Sequence, residues 1–287
     1  MPELPEIEIV KRSLFKMINR AKIMNVKIYN KNLRYKIPNN FQKYLINEKI
    51  LKITRRSKYL IFHLKNKILL IHLGMTGKFL LLRSKDKKMM KTSFYYNLNI
   101  LPKHNHILFI LNNGVELIYN DVRRFGFFKI FNHNKLNKIT FIKKLGIEPF
   151  SSFFNANYFK NFIKNKKKNI KNLLMDQSFV SGLGNIYVNE ALFLSKIHPL
   201  RKSYSIKNKE IKSLILNIKK VLKFSISKGV SSIRDFKNAL GEDGNFQQFF
   251  NVYGQENKKC SRISCNGKII KIFVSNRSSF YCSKCQK

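Results

Sequence analysis

Four cysteines stand close together at the end of the chain, as Cys260-x4-Cys265, sixteen intervening residues, then Cys282-x2-Cys285. Two close pairs of thiols suit a tetrahedral Zn2+ ion, and a closed set of four ligands gives that ion a structural role. Confinement of every cysteine to one short segment also argues against a disulfide framework, which would be spread along a secreted chain. The opposite end carries a second chemical possibility. Loss of Met1, which the small Pro2 favours, would expose a secondary amine followed at once by the Glu3 carboxylate. An amine nucleophile beside an acid can form a Schiff base at a sugar C1′. The same Pro2 to Pro5 segment also reads as an ordinary helix entry.

Other candidates are ambiguous singly. Gly182-Leu183-Gly184-Asn185 can aim backbone N–H groups at a phosphate, or simply turn the chain between helices. Asp121-Val122-Arg123-Arg124-Phe125-Gly126 combines guanidinium and aromatic groups suited to entering a base stack, yet Phe125 could equally end a strand in the core. Arg55, Arg56, Lys58 and the Lys166-Lys167-Lys168 run can bind anions or form solvated basic faces, and His72 precedes Gly74-Met75. His104 and His106 alternate beside a strand, where histidines are usually structural.

The elements that must position these groups follow from periodicity. Ile7, Val10, Leu14 and Met17 stripe one face of a helix that Pro5 can enter. Strands are expected at 53–64, 68–73, 107–111, 115–119 and 127–131, with Asn113-Gly114 as a hairpin turn. The pattern stops between Asn132 and Asn157, where Gly146 and Pro149 indicate a linker. From Tyr158 to about Leu240 it becomes helical, with Ile211, Leu214, Ile215, Ile218 and Leu222 as one core stripe. The cysteine segment contains a β-prone piece at 269–274.

Charge defines the partner. The 57 Lys and Arg residues against 15 Asp and Glu leave +42 on 287 residues, which excludes cationic substrates and suits a polyanion, although the Lys, Asn, Ile and Phe bias is general along the chain. An apolar content of 44% with 25 Phe is enough to fill cores. There is no apolar stretch of about 18 residues to span a membrane, and the first residues lack a signal-peptide pattern. A cytoplasmic location is expected.

Taken in order, these segments resemble bacterial formamidopyrimidine-DNA glycosylase along essentially the whole chain. The resemblance rests on Met-Pro-Glu-Leu-Pro-Glu at 1–6, Ser57-Lys58-Tyr59-Leu60, His72-Leu73-Gly74-Met75, Lys103-His104-Asn105-His106, Arg123-Arg124-Phe125-Gly126, Leu174-Met175-Asp176, Gly184-Asn185-Ile186-Tyr187, Val252-Tyr253-Gly254 and the four-cysteine tail with Arg277. It implies an α+β fold of two domains: an N-terminal β-sandwich flanked by helices (1–132), a hinge (133–157), a helix–two-turns–helix domain (158–248) and a zinc finger (249–287). Implied roles are Pro2 as nucleophile at C1′, Glu3 as proton donor to the sugar, Lys58 in β-elimination and Arg277 in δ-elimination, leaving a one-nucleotide gap with phosphate at both ends. Met75, Arg123 and Phe125 match void-filling residues; His72, His104, Lys167, Lys171 and Asn185 match DNA-binding positions. Implied too are one structural zinc ion, damaged double-stranded DNA as partner and a monomer.

Two departures stand out. The first cysteine pair is separated by four residues where the family has two, so its knuckle must bulge. The segment from Gly229 to Phe246, which matches the family's loop over the flipped base, keeps Ser231, Ser232 and Asp235 but otherwise agrees loosely. Two rival readings are an endonuclease VIII-like enzyme for oxidised pyrimidines and a non-catalytic basic DNA-binding protein. Leu4 and the Arg-Arg-Phe-Gly segment resemble the oxidised-purine branch, and a binding-only descendant should have lost catalytic positions that are all present here.

Overall fold

A computed structural model describes residues 2–86, 101–133, 139–228 and 249–287. Met1, the Gly229 to Phe246 segment and the far end of the expected helical run lie outside the described residues. The chain divides into two compact units at Lys143/Lys144.

The first unit opens with α1 (Leu4–Ile18). Of the expected stripe, Ile7, Val10 and Leu14 are buried and Met17 is half-buried against the same core, with Ile18 taking the buried place beside it, while Lys11, Arg12 and Lys16 lie on other faces. Two four-stranded antiparallel sheets follow. One has the order β1 (Ile23–Ile28), β6 (Asn105–Leu111), β7 (Val115–Asn120), β5 (Lys78–Arg83); the other has β2 (Ile50–Arg56), β3 (Tyr59–Leu64), β4 (Lys67–His72), β8 (Phe127–Asn132). Period-2 alternation sends Phe79, Leu81, Ile107, Phe109 and Leu117 of one sheet, and Leu60, Phe62, Leu69, Ile71 and Phe128 of the other, into a shared core with α1 and α2 (Phe41–Leu45). On the outer face of the second sheet, Ile61, Ile68 and Leu70 pack against Ile139 and the short α3 (Thr140–Lys143).

Two strands of the first unit escaped the periodicity. β5 reads as an unbroken apolar run between two cations, and β1 loses its alternation at a register shift between Ile23 and Asn25. The expected single run at 53–64 is in fact two strands joined by the Ser57-Lys58 turn. Asn113-Gly114 does turn the chain between β6 and β7, with Gly114 at φ +75°.

In the second unit, α4 (Ala156–Ile163), α5 (Ile170–Met175), α6 (Asn185–Leu194) and α7 (Asn208–Ser227) carry the helical pattern. Ile211, Leu214, Ile215, Ile218 and Leu222 are all buried on α7. The expected linker is shorter than its composition suggests. Gly146 N–H donates to Gln177 O at 2.8 Å and Ser181 N–H to Ile147 O at 2.9 Å, so backbone pairing builds this stretch into the second unit. The terminal hairpin pairs β9 (Ile269–Val274) with β10 (Arg277–Cys282). Among the described residues, no helix is long and apolar enough to cross a membrane.

Candidate active site and nucleic-acid interface

The Pro2–Glu3 pair is held by the start of α1. Glu3 is the N-cap residue: Glu6 accepts from its backbone N–H at 2.7 Å, and the Glu3 side chain accepts from the Glu6 N–H in return. This capping box fixes a segment that would otherwise fray as a chain terminus. Pro2 is buried, and Glu3 and Glu6 are only 3% and 1% exposed. Further along the helix, Glu8 receives Arg55 of β2 at 3.0 Å, with Lys11 at 2.8 Å and Arg12 at 3.0 Å. Burial would raise the Glu8 carboxyl, but hydrogen bonds from Lys11 and Arg55 hold it below the usual carboxylate range.

Arg55 also donates to Ser57 O at 2.9 Å and thereby ties α1 to the β2–β3 turn. That turn is a two-residue one, Arg56 pairing with Tyr59, with Ser57 at φ +56°. Lys58 sits in it at 6% exposure. A lysine merely solvating a basic face would not be buried, so the structure separates Lys58 from that reading.

His72 ends β4, directly opposite Tyr59, and stacks on Phe127 with ring centroids 5.5 Å apart. Its Nδ1 accepts the Gly74 N–H at 3.0 Å, which leaves Nε2–H as a donor. Burial, then the nearby Lys58 and Arg34 charges, push its pKa down from 6.5 to about 4. The unfolded imidazole therefore binds a proton that the folded one refuses throughout the window from pH 6.5 to about 4. Acidification across that window should cost the fold up to about 3 kcal/mol. Urea unfolding of the His72→Gln variant should lack this share of the acid sensitivity; equal losses in both proteins would contradict the assignment.

Met75 follows in the loop after β4, and Arg123 and Phe125 lie in the loop after β7. The two loops run side by side, since His72 pairs with Phe127 at one end and Lys78 with Asn120 at the other. Arg123 places its guanidinium 4.5 Å from the centre of the Phe125 ring, which is 43% exposed. Phe125 is thus not a core residue, and the pair projects a cation and an aromatic face together. Arg34 was not anticipated. It lines an open cleft with Asn32, Arg123, Arg124 and Phe125, and its backbone N–H reaches Gly126 O at 3.2 Å. Its position before an irregular loop carries no sequence signal. His104 is half-buried beside this region, and its carbonyl accepts from the Asp121 N–H at 3.0 Å. His106 is structural, as expected: it is 2% exposed and its Nε2 lies 2.7 Å from Asp121 O.

In the second unit, Ser203 donates to the carbonyls of Lys166 and Lys168 at 2.8 and 2.9 Å, turning the basic run outward and leaving Lys167 exposed. Gly184 caps α6, so the glycine turn is both a helix start and a tight connection, braced by Gln177 bonds to Gly182 and Leu183 at 2.8 Å. Asn185 is half-buried and donates to Ser278 O at 2.8 Å. Lys171 departs from the expected place near a DNA backbone. It is 1% exposed, and its ammonium donates to the Ser279 hydroxyl and to Ser278 O, so burial keeps it from meeting a phosphate directly and it fastens β10 instead. Arg277 lies at the exposed tip of that hairpin, after Ser275 and Asn276 at φ +48° and +59°.

The four cysteine sulfurs all lie within 4.8 Å of one another. Tetrahedral zinc with Zn–S bonds of about 2.3 Å needs sulfurs about 3.8 Å apart; Cys265–Cys282 at 3.6 Å and Cys260–Cys285 at 3.9 Å bracket that value. Burial raises the Cys282 thiol, but the N–H groups of Cys285 and Lys284 outweigh it and bring it down to about 7, while burial and the neighbouring Cys282 push Cys285 up to about 12, so the four thiols do not ionise together without a cation between them. The four-residue first knuckle also has a use. Arg262 within it donates to the Phe193 and Leu194 carbonyls at 2.9 and 3.0 Å and stacks on Phe193, closing the C-terminal end of α6. Glu190 of α6, a buried anchor with no sequence signature, accepts from the backbone N–H groups of Asn251, Val252 and Tyr253 at 2.9–3.0 Å.

The formamidopyrimidine-DNA glycosylase N-terminal domain matches residues 1–128, and the helix–two-turns–helix domain of the same enzymes matches residues 145–237. A formamidopyrimidine-DNA glycosylase of Bartonella tribocorum is 42% identical, with 100% of each chain covered. A Lactococcus lactis FPG mutant solved with Fapy-dG-containing DNA superposes with a TM-score of 0.86 at 35% identity over 100% of both chains. The Lactococcus lactis Fpg complex with abasic-site DNA gives the same score and identity over 99% of both. With both domains, the cysteine cluster and the full length in agreement, this chain belongs to the formamidopyrimidine-DNA glycosylase family.

Proposed function

We propose that this chain is a base-excision repair enzyme that removes oxidised purines, 8-oxoguanine and formamidopyrimidines, from duplex DNA and then cuts the strand. The observation that carries the reading is the buried Pro2–Glu3 pair locked by its capping box, with α1 bridged to the Lys58 turn through Glu8 and Arg55. Once Met1 is gone, the Pro2 nitrogen adds to C1′ of a nucleotide swung out of the helix, and the C1′–N bond to the base breaks; the base takes the bonding electron pair and leaves neutral with the proton that the Pro2 nitrogen sheds. Glu3 delivers a proton to the ring oxygen, which opens the sugar and leaves an iminium between Pro2 and C1′. That iminium acidifies C2′–H. Removal of this proton expels the 3′ phosphate, with Lys58 assigned to this β-elimination; Arg277 is assigned to the δ-elimination that expels the 5′ phosphate.

Met75, Arg123 and Phe125 fill the space that the displaced nucleotide vacates, which offsets part of the few kcal/mol that eversion costs. His72, through its Nε2–H, together with His104, Arg34, Lys167 and Asn185, is assigned to the phosphate backbone, where contacts set register without reading sequence. The four cysteines hold one structural Zn2+. The enzyme acts as a cytoplasmic monomer on chromosomal DNA.

Matched duplexes carrying 8-oxoguanine, an oxidised pyrimidine or no lesion test this reading. Release of 8-oxoguanine, with a gap ending in phosphate on both sides, is the expected result. Faster release of the pyrimidine would favour the endonuclease VIII-like alternative, and binding without release would favour the non-catalytic one.

A further inference from the structure

The two loops that carry Met75, Arg123 and Phe125 are two of the places where the chain crosses between the two sheets of the first unit. One runs from β4 to β5, the other from β7 back to β8. Between them lies a carboxylate with no solvent access: Asp121 is 0% exposed. Its Oδ1 accepts from the Thr76 hydroxyl at 2.5 Å and from the Arg123 N–H at 3.3 Å. Its Oδ2 accepts from the Tyr119 hydroxyl at 2.9 Å and from the Gly126 N–H at 2.9 Å. Thr76 in turn accepts from the Arg123 N–H at 3.0 Å. One side chain therefore binds the Met75 loop through Thr76 and the Arg123–Phe125 loop at both of its ends.

The backbones interlock at the same point. A Cβ on Gly74, which sits at φ +70°, would come within 2.4 Å of Gly126 N and 2.5 Å of Phe125 C. One on Gly126 would fall 1.7 Å from the Tyr119 hydroxyl oxygen. Burying a carboxylate is costly unless donors surround it, and here O–H and N–H donors from both loops do so. The sandwich core reaches these crossovers at Leu73 and Tyr119, but the Asp121 bonds to Thr76, Arg123 and Gly126 tie loop to loop rather than sheet to sheet.

We propose that Asp121 is a positioning residue for eversion of the damaged nucleotide: it joins the two crossover loops into one rigid insert, so that Met75, Arg123 and Phe125 enter the duplex together. This rests on the assignment of those three residues to the vacated space. An insert whose parts move independently would have to be ordered at the moment of entry, when the stacked, paired base resists most. The Asp121 contribution should therefore appear where a base must be extruded and fade where none is left to extrude.

The test compares single-turnover rates on a duplex with 8-oxoguanine paired to cytosine and on a duplex with a preformed abasic site. Asp121→Asn replaces one acceptor oxygen by an amide that faces donors. It should slow release of the paired base by about tenfold or more, as loss of hydrogen bonds to a charged group does, and change abasic-site cleavage by less than about threefold. Thr76→Val, which deletes only the Thr76 links, should shift the same ratio in the same direction by a smaller factor and remains informative should Asp121→Asn fold poorly. Equal slowing on both substrates, or no slowing on either, would overturn the proposal. Met75→Ala and Phe125→Ala are the reference. If they are selective for the paired base and the Asp121 and Thr76 variants are not, the positioning role alone fails; if they too are unselective, the assignment of the insert fails with it.

Discussion

Glu3→Gln is expected to reduce excision of 8-oxoguanine by about a thousandfold, within the range of 10² to 10⁴ that a positioned proton donor contributes. The substitution preserves shape. A Gln amide oxygen can still accept from the Glu6 N–H, and the Glu3 N–H can still reach the Glu6 carboxylate at 2.7 Å, so the capping box survives. The stability change should stay below about 1 kcal/mol, the usual worth of a whole cap. What the amide cannot do is give a proton to the departing sugar oxygen. Cleavage at a preformed abasic site should fall much less, since that sugar already opens to its aldehyde without a proton from Glu3. A variant that melts with the wild type, binds lesion DNA and fails to excise is the expected outcome; excision within tenfold of wild type would remove Glu3 from the role of acid.

Stripping the metal is expected to have the second large effect. The finger's own apolar cluster is small, with Val252, Ile269 and Phe280 packed on Phe193 around the cysteines, too little to hold a module of that size without a staple. Prolonged chelation should release one zinc ion per chain and lower affinity for lesion duplex by about a hundredfold or more. The damage should spread beyond the cysteines, because β10 also holds Lys171 and Asn185 through Ser278 and Ser279, and Arg262 closes α6. Zinc readdition should restore binding. Unchanged binding by a metal-free protein would separate the finger from DNA recognition.

Much of this molecule was legible in its residues. The α1 stripe, the Asn113-Gly114 hairpin, the α7 core face and the cysteine spacing each follow local rules that the structure obeys. What stayed hidden depends on partners distant in sequence. Nothing around Lys171 distinguishes a solvated cation from one buried against Ser279, 108 residues away. Glu190 has no signature of its own, since its donors lie more than sixty residues downstream. Asp121 stood within a stretch already marked for its arginines and phenylalanine, but its link to Thr76 exists only because two sheets exchange strands at the same end. β5 was missed for a related reason: buried on both faces, with Phe79 and Leu81 inward and Leu80 against Leu108 and Ile118, it lacks the alternation that marks a half-exposed strand.

The most direct test of the central claim is covalent capture. The protein is mixed with a duplex containing 8-oxoguanine opposite cytosine, borohydride is added to reduce any iminium, and the adduct is mapped by peptide mass spectrometry. The account predicts one adduct, formed by a chain that begins at Pro2 and joined through its nitrogen to the deoxyribose carbon. An adduct on Lys58, or none from a protein that lacks Met1 and still binds the duplex, would contradict it.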